Sequence, residues 1–291
     1  MTDFITRFAP SPTGLLHLGH AYAAMIAFDA AQDAGGRLLL RIEDIDQTRC
    51  KPDFEDAIYN DLPWLGLVWD EPVRRQSDHF SSYQTALDTL IERGLVYRCF
   101  RTRKQIADDI ARAPHLGADG PEGPQFIGAP LTAYEERSLL AQGSSYAWRL
   151  SMSAARDTLG KVIDELEFTV EDIDTPHAKT RHKATPEIFG DVVIGRKDSG
   201  TSYHLACTYD DAAQGITHVI RGEDLSSAAH LHVLLQALLG LPTPIYRHHR
   251  LILDDHGKRL AKRNHAATLR SIRKNGADAS WVRQKLNLRP A

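Results

Sequence analysis

A short apolar run at residues 4–9 opens the hydrophobic pattern of the chain and predicts a buried strand. Prolines and a glycine follow at 10–14, and these residues cannot continue a strand or a helix. The alanine-rich run at 18–34 has helical spacing and ends at two glycines, and the run at 37–42 predicts a second strand. Strand, loop, helix and strand in this order are typical of a parallel α/β domain.

The alternation of predicted helices and strands continues as far as residue 239. Apolar residues at helical spacing predict helices at 53–65, 78–93 and 226–239. Short apolar runs predict strands at 146–150, 161–170, 191–196, 204–209 and 216–220, with a hairpin turn at 198–200. Residues 113–130 contain four prolines and four glycines, and we interpret them as a loop within an inserted domain.

Length and composition limit the class of protein. A chain of 291 residues exceeds the usual size of a single core, so we expect two or more units, one of them inserted into another. The composition, 42% hydrophobic and 25% charged, is that of an ordinary globular protein. The first residues lack the apolar run of a secretory signal and no stretch approaches transmembrane length, so we expect a cytoplasmic protein without a membrane partner.

The charge is distributed unevenly along the chain. The net charge is −3, yet residues 258–291 contain ten Lys or Arg and one acid, a local charge of +9. Basic clusters on an otherwise acidic chain often contact nucleic acid, and they equally often form the solvated face of a helix. Both interpretations stay open at this point.

Two histidines near the N-terminus are the first candidates for chemistry. His17 and His20 are three residues apart at the predicted helix start, with Gly19 between them. The free N–H groups of a helix start favour anions, Gly19 leaves room for a nucleotide to approach the backbone, and two imidazoles can donate to phosphate oxygens. The alternative is a pair of incidental surface histidines.

A basic loop far downstream is the second candidate. Lys258, Arg259 and Lys262 follow an apolar run and could neutralise a triphosphate and the departing pyrophosphate. The alternative is an exposed basic turn, because Gly-Lys-Arg is common in surface loops.

Four sequence blocks in order resemble the signatures of class I glutamyl-tRNA synthetases. They are Arg7-Phe-Ala-Pro-Ser-Pro-Thr-Gly-Leu-Leu-His-Leu-Gly-His20, Leu40-Arg-Ile-Glu-Asp-Ile-Asp46 with Arg49, Gly215-Ile-Thr-His-Val-Ile-Arg-Gly-Glu-Asp224, and Lys258-Arg-Leu-Ala-Lys-Arg263. A full-length enzyme of that family would continue into a helical anticodon-binding half, for which there is no room before Ala291. The run Asn264-His265-Ala266 in so short a chain is similar to the glutamyl-queuosine tRNA(Asp) synthetases, which attach glutamate to a modified anticodon base.

The resemblance implies an α/β fold in which a Rossmann-type parallel sheet is split by an inserted α+β domain, with a small helical C-terminal extension. We expect the two halves of the catalytic domain at 1–95 and 186–245. The inserted domain would then occupy 96–185, and the basic loop and C-terminal region 246–291.

The resemblance also implies a role for each matching residue. The glutamate-binding residues would be Arg7, Ala9, Ser11, Glu43, Tyr203 and Arg221. ATP, with its Mg²⁺, would be bound by His17, Gly19, His20, Lys258, Arg259 and Lys262, of which His17, His20 and Lys262 would be catalytic. Forked guanidinium groups suit a dicarboxylate, and Glu43 could pair with the α-ammonium group.

Structural alternatives exist for several of these residues. Arg7 and Arg221 could form ordinary ion pairs, and Tyr203 could be a core aromatic residue at a strand start. The acidic run 43–46 could be a metal site, although Mg²⁺ usually relies on phosphates and one or two carboxylates.

The chain departs from the family pattern in two places. The related enzymes can hold zinc through a Cys-x-Cys pair, but here only Cys99 of that pair is present, with His115 nearby, so we expect a buried thiol and no zinc. The widely spaced Cys50 and Cys207 also lack the spacing of a zinc site or a disulfide framework. In the basic loop, Arg259 replaces a lysine and Ala261 a serine.

The expected reaction is ATP-dependent activation of L-glutamate to glutamyl-adenylate, followed by transfer to queuosine in tRNA(Asp), with no obligate protein partner. Three alternatives are a truncated glutamyl-tRNA synthetase that charges a tRNA 3′ end, an HxGH nucleotidyltransferase acting on a small substrate, and a catalytically silent RNA-binding relative. The basic stretch Arg270–Arg289 and the inserted domain are candidate RNA-contacting surfaces.

Overall fold

The computed structural model describes residues 3–112, 119–175, 178–253 and 267–290. Its strands are β1 Ile5–Phe8, β2 Arg37–Ile42, β3 Asp70–Arg75, β4 Val96–Cys99, β5 Asp119–Gly120, β6 Gly123–Pro124, β7 Ala147–Leu150, β8 Glu167–Glu171, β9 Lys179–Lys183, β10 Val193–Gly195, β11 His218–Gly222 and β12 Ile245–His249. Its helices are α1 Leu18–Asp33, α2 Pro52–Trp64, α3 Phe80–Glu92, α4 Arg103–Arg112, α5 Ala133–Ala141, α6 Met152–Leu159, α7 Val162–Glu165, α8 Tyr203–Ala213, α9 Ala228–Leu239, α10 Leu269–Lys274 and α11 Ala279–Lys285.

Two groups of parallel strands lie beside each other. β1, β2 and β3 form one parallel sheet, while β11, β12 and β8 are parallel in a second sheet that β9 extends in the antiparallel sense. The groups meet where the Thr217 backbone N–H donates to the Ile5 carbonyl oxygen at 2.9 Å. Parallel strands end at the same edge of a sheet, so β1 and β2 bring the residues that follow them close together.

A third sheet is antiparallel, and β8 and β9 of the second group lie between two of its strands in sequence. It has the order β10–β7–β4. Its buried residues Val96, Leu150 and Ile194 pack in one cluster with Leu90 of α3 and Leu235 of α9. The apolar faces of α3 and α9 therefore connect this sheet to the rest of the chain.

α1 packs against β1 and β2 through small side chains. Ala21, Ala24 and Ala27 are almost completely buried together with Met25. Alanine lets the helix lie close to the sheet at little entropic cost, which is why an alanine-rich sequence serves a buried helix here. The start of α1 is thereby fixed relative to the end of β1.

The structure confirms a mixed α/β fold and most of the predicted elements, and it corrects others. The strand predicted at 204–209 is wrong, because these residues lie within the buried helix α8. The strand predicted at 161–170 begins only at Glu167 and follows the short helix α7. The turn at 198–200 leads into α8 rather than into a second strand.

The predicted division into four segments stays a prediction. β8 lies within the range expected for the inserted domain, yet Val170 of this strand pairs with Tyr246 of β12 in the parallel group. In the part of the chain that the structure describes, no helix is both long enough and apolar enough to cross a membrane.

Candidate active site

Most of the predicted site residues surround one cavity of about 480 Å³. The predicted residues that line it are Arg7, Ala9, His17, Gly19, His20, Glu43, Tyr203 and Arg221. Ser11 lies instead on an adjoining cavity of about 810 Å³, which shares Thr13, Glu43 and Tyr203 with the first. Lys258, Arg259 and Lys262 lie outside the described residues.

The two histidines of the HxGH sequence cap the start of α1. The Gly19 backbone N–H donates to Nδ1 of His17 at 3.1 Å, and the His17 backbone N–H donates to Nδ1 of His20 at 3.2 Å. Because Nδ1 is the acceptor in each neutral ring, the ring hydrogen is on Nε2. Both imidazoles are therefore held as Nε2–H donors at the positive end of the α1 dipole.

The position of the His17 ring leaves little space for a side chain at residue 19. A Cβ atom at residue 19 would lie 3.0 Å from Cε1 and 3.1 Å from Nδ1 of His17. The sequence led us to expect that the glycine makes room for a nucleotide, and the structure adds that it makes room for the imidazole.

Arg7 is anchored by a buried carboxylate. Its Nε donates to Asp211 Oδ1 at 2.9 Å, Nη2 lies 3.5 Å from Asp211 Oδ2, and Nη1 donates to the Ile220 carbonyl oxygen at 3.3 Å. Burial alone would raise the pKa of Asp211, but the charges of Arg7 and Arg41 outweigh it and hold that pKa well below its usual range. The expected ion-pair alternative for Arg7 is thus observed, at a residue that also lines the cavity.

Arg41 is a part of the site that the sequence analysis missed. It is fully buried, donates to Asp211 Oδ1 at 2.8 Å through Nη1, and donates to Glu43 Oε1 at 3.2 Å through Nη2. Burial raises the pKa of Glu43, while Arg41 and Arg7 act in the opposite direction. The available signal was an arginine directly after three consecutive leucines of a buried strand, a position that requires a buried partner.

Cys207 fills the space between the two arginines and is chemically inert. Its sulfur accepts from Arg41 Nη2 at 3.6 Å. Burial raises the pKa of Cys207 to about 12, so the thiol stays protonated at neutral pH.

Arg221 differs from Arg7 because its donors are incompletely used. It is only 6% exposed, and Nη1 lies 3.4 Å from His232 Nδ1. Among the described residues, Nε and Nη2 have no hydrogen-bond partner. The guanidinium also lies 5.2 Å from the centre of the Tyr246 ring. Unsatisfied buried donors are costly, and Arg221 also lines the cavity, so this residue is our candidate for contact with an anionic ligand.

Tyr203 is the first residue of α8, not a residue at a strand start. Its side chain lines both cavities. Burial raises the pKa of Tyr203 well above its ordinary value, so the hydroxyl stays neutral. Arg41 pairs with Asp211 and Glu43, and Arg7 pairs with Asp211, so two carboxylates offset two of the three guanidinium groups and leave the charge of Arg221 for a ligand to meet.

The residues considered for metal binding are separated. Cys99 is buried in β4, and His115 lies outside the described residues. Asp44 accepts from the Ser77 backbone and hydroxyl, and Asp46 from Thr48 and Arg49. Within the described ranges, no group of three His, Cys, Asp or Glu side chains converges on a metal position.

Comparison with known proteins finds relatives whose names refer to the attachment of glutamate to tRNA. A Glutamyl-Q tRNA(Asp) synthetase of Rhodobacter capsulatus is 49% identical over 98% of this chain and 100% of its own length. One from Symbiobacterium thermophilum is 39% identical over 95% of this chain and 83% of its own length. A glutamate–tRNA ligase of Aquifex aeolicus is 35% identical over 95% of this chain, which spans 55% of that protein.

Solved structures and a family description agree with these relatives. A glutamate tRNA ligase from Elizabethkingia meningosepticum, crystallised in complex with its amino acid, has a TM-score of 0.73 and 27% identity; the match covers 96% of this chain and 59% of that one. The family described as tRNA synthetases class I (E and Q), catalytic domain, matches residues 3–289. The chain therefore belongs to this class I family and, within it, to the Glutamyl-Q tRNA(Asp) synthetases.

Proposed function

We propose that the chain activates L-glutamate with ATP to glutamyl-adenylate and transfers the glutamyl group to queuosine in the anticodon of tRNA(Asp), in the cytoplasm. The observation that carries this proposal is one cavity lined both by Arg221, which has two unpartnered nitrogens among the described residues, and by the His17–His20 pair at the start of α1. The relative from R. capsulatus, whose whole length matches, supports the choice of acceptor.

The glutamate half of the cavity follows from its charges. Arg7 is occupied by Asp211, so Arg221, with two unpartnered nitrogens, is our candidate for direct contact with the side-chain carboxylate. Glu43 is the candidate partner for the α-ammonium group. Arg41 would then act indirectly, by holding the Glu43 carboxylate in place through its 3.2 Å hydrogen bond.

The ATP half lies at the helix start. The Nε2–H groups of His17 and His20 would donate to phosphate oxygens, where negative charge grows as a glutamate α-carboxylate oxygen attacks the α-phosphorus. The bond from that phosphorus to the pyrophosphate oxygen breaks, giving glutamyl-adenylate and pyrophosphate. Lys258, Arg259 and Lys262 keep their sequence-based roles as candidate contacts to the departing phosphates.

The described side chains do not form a dedicated cage for Mg²⁺. Mg²⁺ commonly binds through substrate phosphates and water with one or two carboxylates. We therefore expect the ion to be carried chiefly by the ATP phosphates.

The adjoining cavity is our candidate for the acceptor side. It is about 810 Å³, contains Ser11 and Thr48, and meets the first cavity at Thr13, Glu43 and Tyr203. A hydroxyl oxygen of the queuosine cyclopentenediol would attack the glutamyl carbonyl carbon from that side, and AMP would leave.

The first test measures exchange of labelled pyrophosphate into ATP, with and without tRNA(Asp). We expect exchange with L-glutamate and little with L-glutamine or L-aspartate. The second test transfers labelled glutamate to queuosine-containing tRNA(Asp), with unmodified tRNA(Asp) as the control.

Three outcomes would contradict the proposal in distinct ways. Label lost on removal of the 3′ adenosine would favour charging of a tRNA end, the activity named for the glutamate–tRNA ligase relative. Exchange with a different acid would favour a small-substrate nucleotidyltransferase. Tight tRNA binding without any exchange would favour a silent RNA-binding protein.

A further inference from the structure

A hydrogen-bonded series of polar side chains leads away from the Arg221 guanidinium. Nη1 of Arg221 is 3.4 Å from His232 Nδ1, and His232 Nε2 is 3.1 Å from His204 Nδ1. His204 Nε2 is in turn 2.9 Å from Glu122 Oε1. His232 and His204 are 1% and 5% exposed, whereas the Glu122 side chain is 57% exposed.

When both imidazoles are neutral, the hydrogen bonds of this series can run in only one direction. A guanidinium group can only donate, so His232 Nδ1 accepts and its hydrogen is on Nε2. That Nε2–H donates to His204 Nδ1, and the remaining Nε2–H of His204 donates to the Glu122 carboxylate. Burial and the charge of Arg221 lower the pKa of His232 well below its ordinary value, which agrees with a neutral ring.

Four separate elements of the fold contribute a side chain to this series. Arg221 is in β11, His232 in α9 and His204 in α8, while Glu122 is in the turn between β5 and β6. The Tyr203 ring lies 5.4 Å from the His204 ring and 5.8 Å from the His232 ring. The histidine pair therefore lies directly behind a wall of the candidate glutamate cavity.

Resting on the proposed function, we propose that His232 and His204 are positioning residues for Arg221, and that Glu122 fixes the direction of their hydrogen bonds. His232 supplies a side-chain acceptor to Arg221 through Nη1 and leaves Nε and Nη2 for the substrate carboxylate. A rotated guanidinium would present one donor instead of two. The three side chains behind Arg221 therefore act on the affinity for glutamate without contacting glutamate.

The test is pyrophosphate exchange by His232→Leu, with glutamate and ATP varied separately. We expect the KM for glutamate to rise about tenfold, as for loss of a hydrogen bond to a charged group, while the KM for ATP changes less than about twofold. His230→Leu is the matched control on the same helix, because His230 contacts Thr185 and Phe168 instead. We expect His230→Leu to leave the KM for glutamate unchanged.

Three further variants test the order of these hydrogen bonds. Glu122→Ala is expected to raise the KM for glutamate two- to threefold, and Glu122→Gln, which keeps the acceptor oxygen, to restore most of the wild-type value. In an Arg221→Lys background, His232→Leu should add little, because the group that it positions has been replaced.

The proposal fails if His232→Leu raises the KM for glutamate and for ATP equally, or changes neither. If this variant lacks a cooperative melting transition, His204→Leu takes its place and must show the same split. A wild-type chain that performs no exchange with glutamate would instead refute the proposed function itself, so the two failures are distinguishable.

Discussion

Among single residues, Arg221 offers the sharpest test of the glutamate site. Arg221→Lys keeps the charge but removes the two-donor fork that a carboxylate can engage. We expect the KM for glutamate to rise about ten- to hundredfold, with the KM for ATP within about twofold. Arg247→Lys is the control, because Arg247 pairs with Glu171 outside both cavities. An unchanged KM for glutamate in Arg221→Lys would contradict the assignment.

Asp211 makes a second prediction, on stability and its pH dependence. Asp211→Asn leaves two buried guanidinium groups without their shared anion, so we expect the free energy of unfolding at pH 7 to fall by about 3–5 kcal/mol. A carboxylate whose pKa is depressed stabilises the fold above its unfolded pKa of about 3.9, and this contribution is lost as the pH falls further. Urea titrations should therefore show the difference between wild type and variant greatest near pH 7 and shrinking below about pH 4. A difference that grows on acidification would exclude this explanation.

The sequence predicted which residues surround the cavity but not how their charges are balanced. Arg7, Glu43 and Arg221 lie within recognisable sequence blocks, and Tyr203 was assigned through the family resemblance. Asp211 belongs to no such block and is 204 residues from Arg7 in sequence. Pairings over that separation depend on tertiary packing, which local patterns do not encode.

Among the elements, the start of α1 combines a structural and a chemical task in His17. His17→Asn keeps an oxygen that can cap the helix, whereas His17→Ala removes the cap and should lower the free energy of unfolding by about 1 kcal/mol. Both variants lose the Nε2–H donor, so we expect both to lower the rate of pyrophosphate exchange by about 10²–10³-fold. Thermal melts and exchange rates separate the tasks. Full activity in a stable His17→Asn protein would assign His17 to capping alone.

α8 shows where pattern-based prediction of elements fails. Residues 204–209 form a continuous, mostly apolar run, and burial on all sides removes the periodicity that distinguishes a helix from a strand. β3 escaped prediction for the opposite reason, since Asp70–Arg75 is largely charged and contains a proline. α1 was predicted well because a Pro- and Gly-rich turn and two glycines mark its ends.

In the whole molecule, three arginines of the basic C-terminal region pair with acids of the N-terminal half. Arg283 donates through Nη1 and Nη2 to both Asp29 carboxylate oxygens, at 2.9 and 2.7 Å, and Arg289 pairs with Asp33 at 2.7 Å. Arg273 lies 3.5 Å from Asp61. These pairs favour a structural role for three of the ten basic residues at 258–291, whose charge the sequence left divided between RNA binding and a solvated helix face.

The same pairs connect the C-terminal helices to the start of the site. The Leu269 backbone N–H donates to the Leu16 carbonyl oxygen at 2.8 Å, next to His17, while Arg283 holds the far end of α1 through Asp29. α10 and α11 thus brace both ends of the helix whose first turn carries the proposed phosphate donors.

Arg283→Leu tests this arrangement, because it removes a buried bidentate pair. Asp29 would keep only its weaker ion pair with Arg289 among the pairs described. We expect the free energy of unfolding to fall by about 3–5 kcal/mol, while the folded variant keeps its affinity for tRNA(Asp) within about twofold. Lys285→Leu on the same helix, where the lysine is exposed, is the stability control. Urea denaturation and a tRNA-binding titration distinguish the two roles. Loss of tRNA affinity at unchanged stability would show instead that Arg283 serves the RNA, and that the charge of the C-terminal region is not used mainly to hold α1.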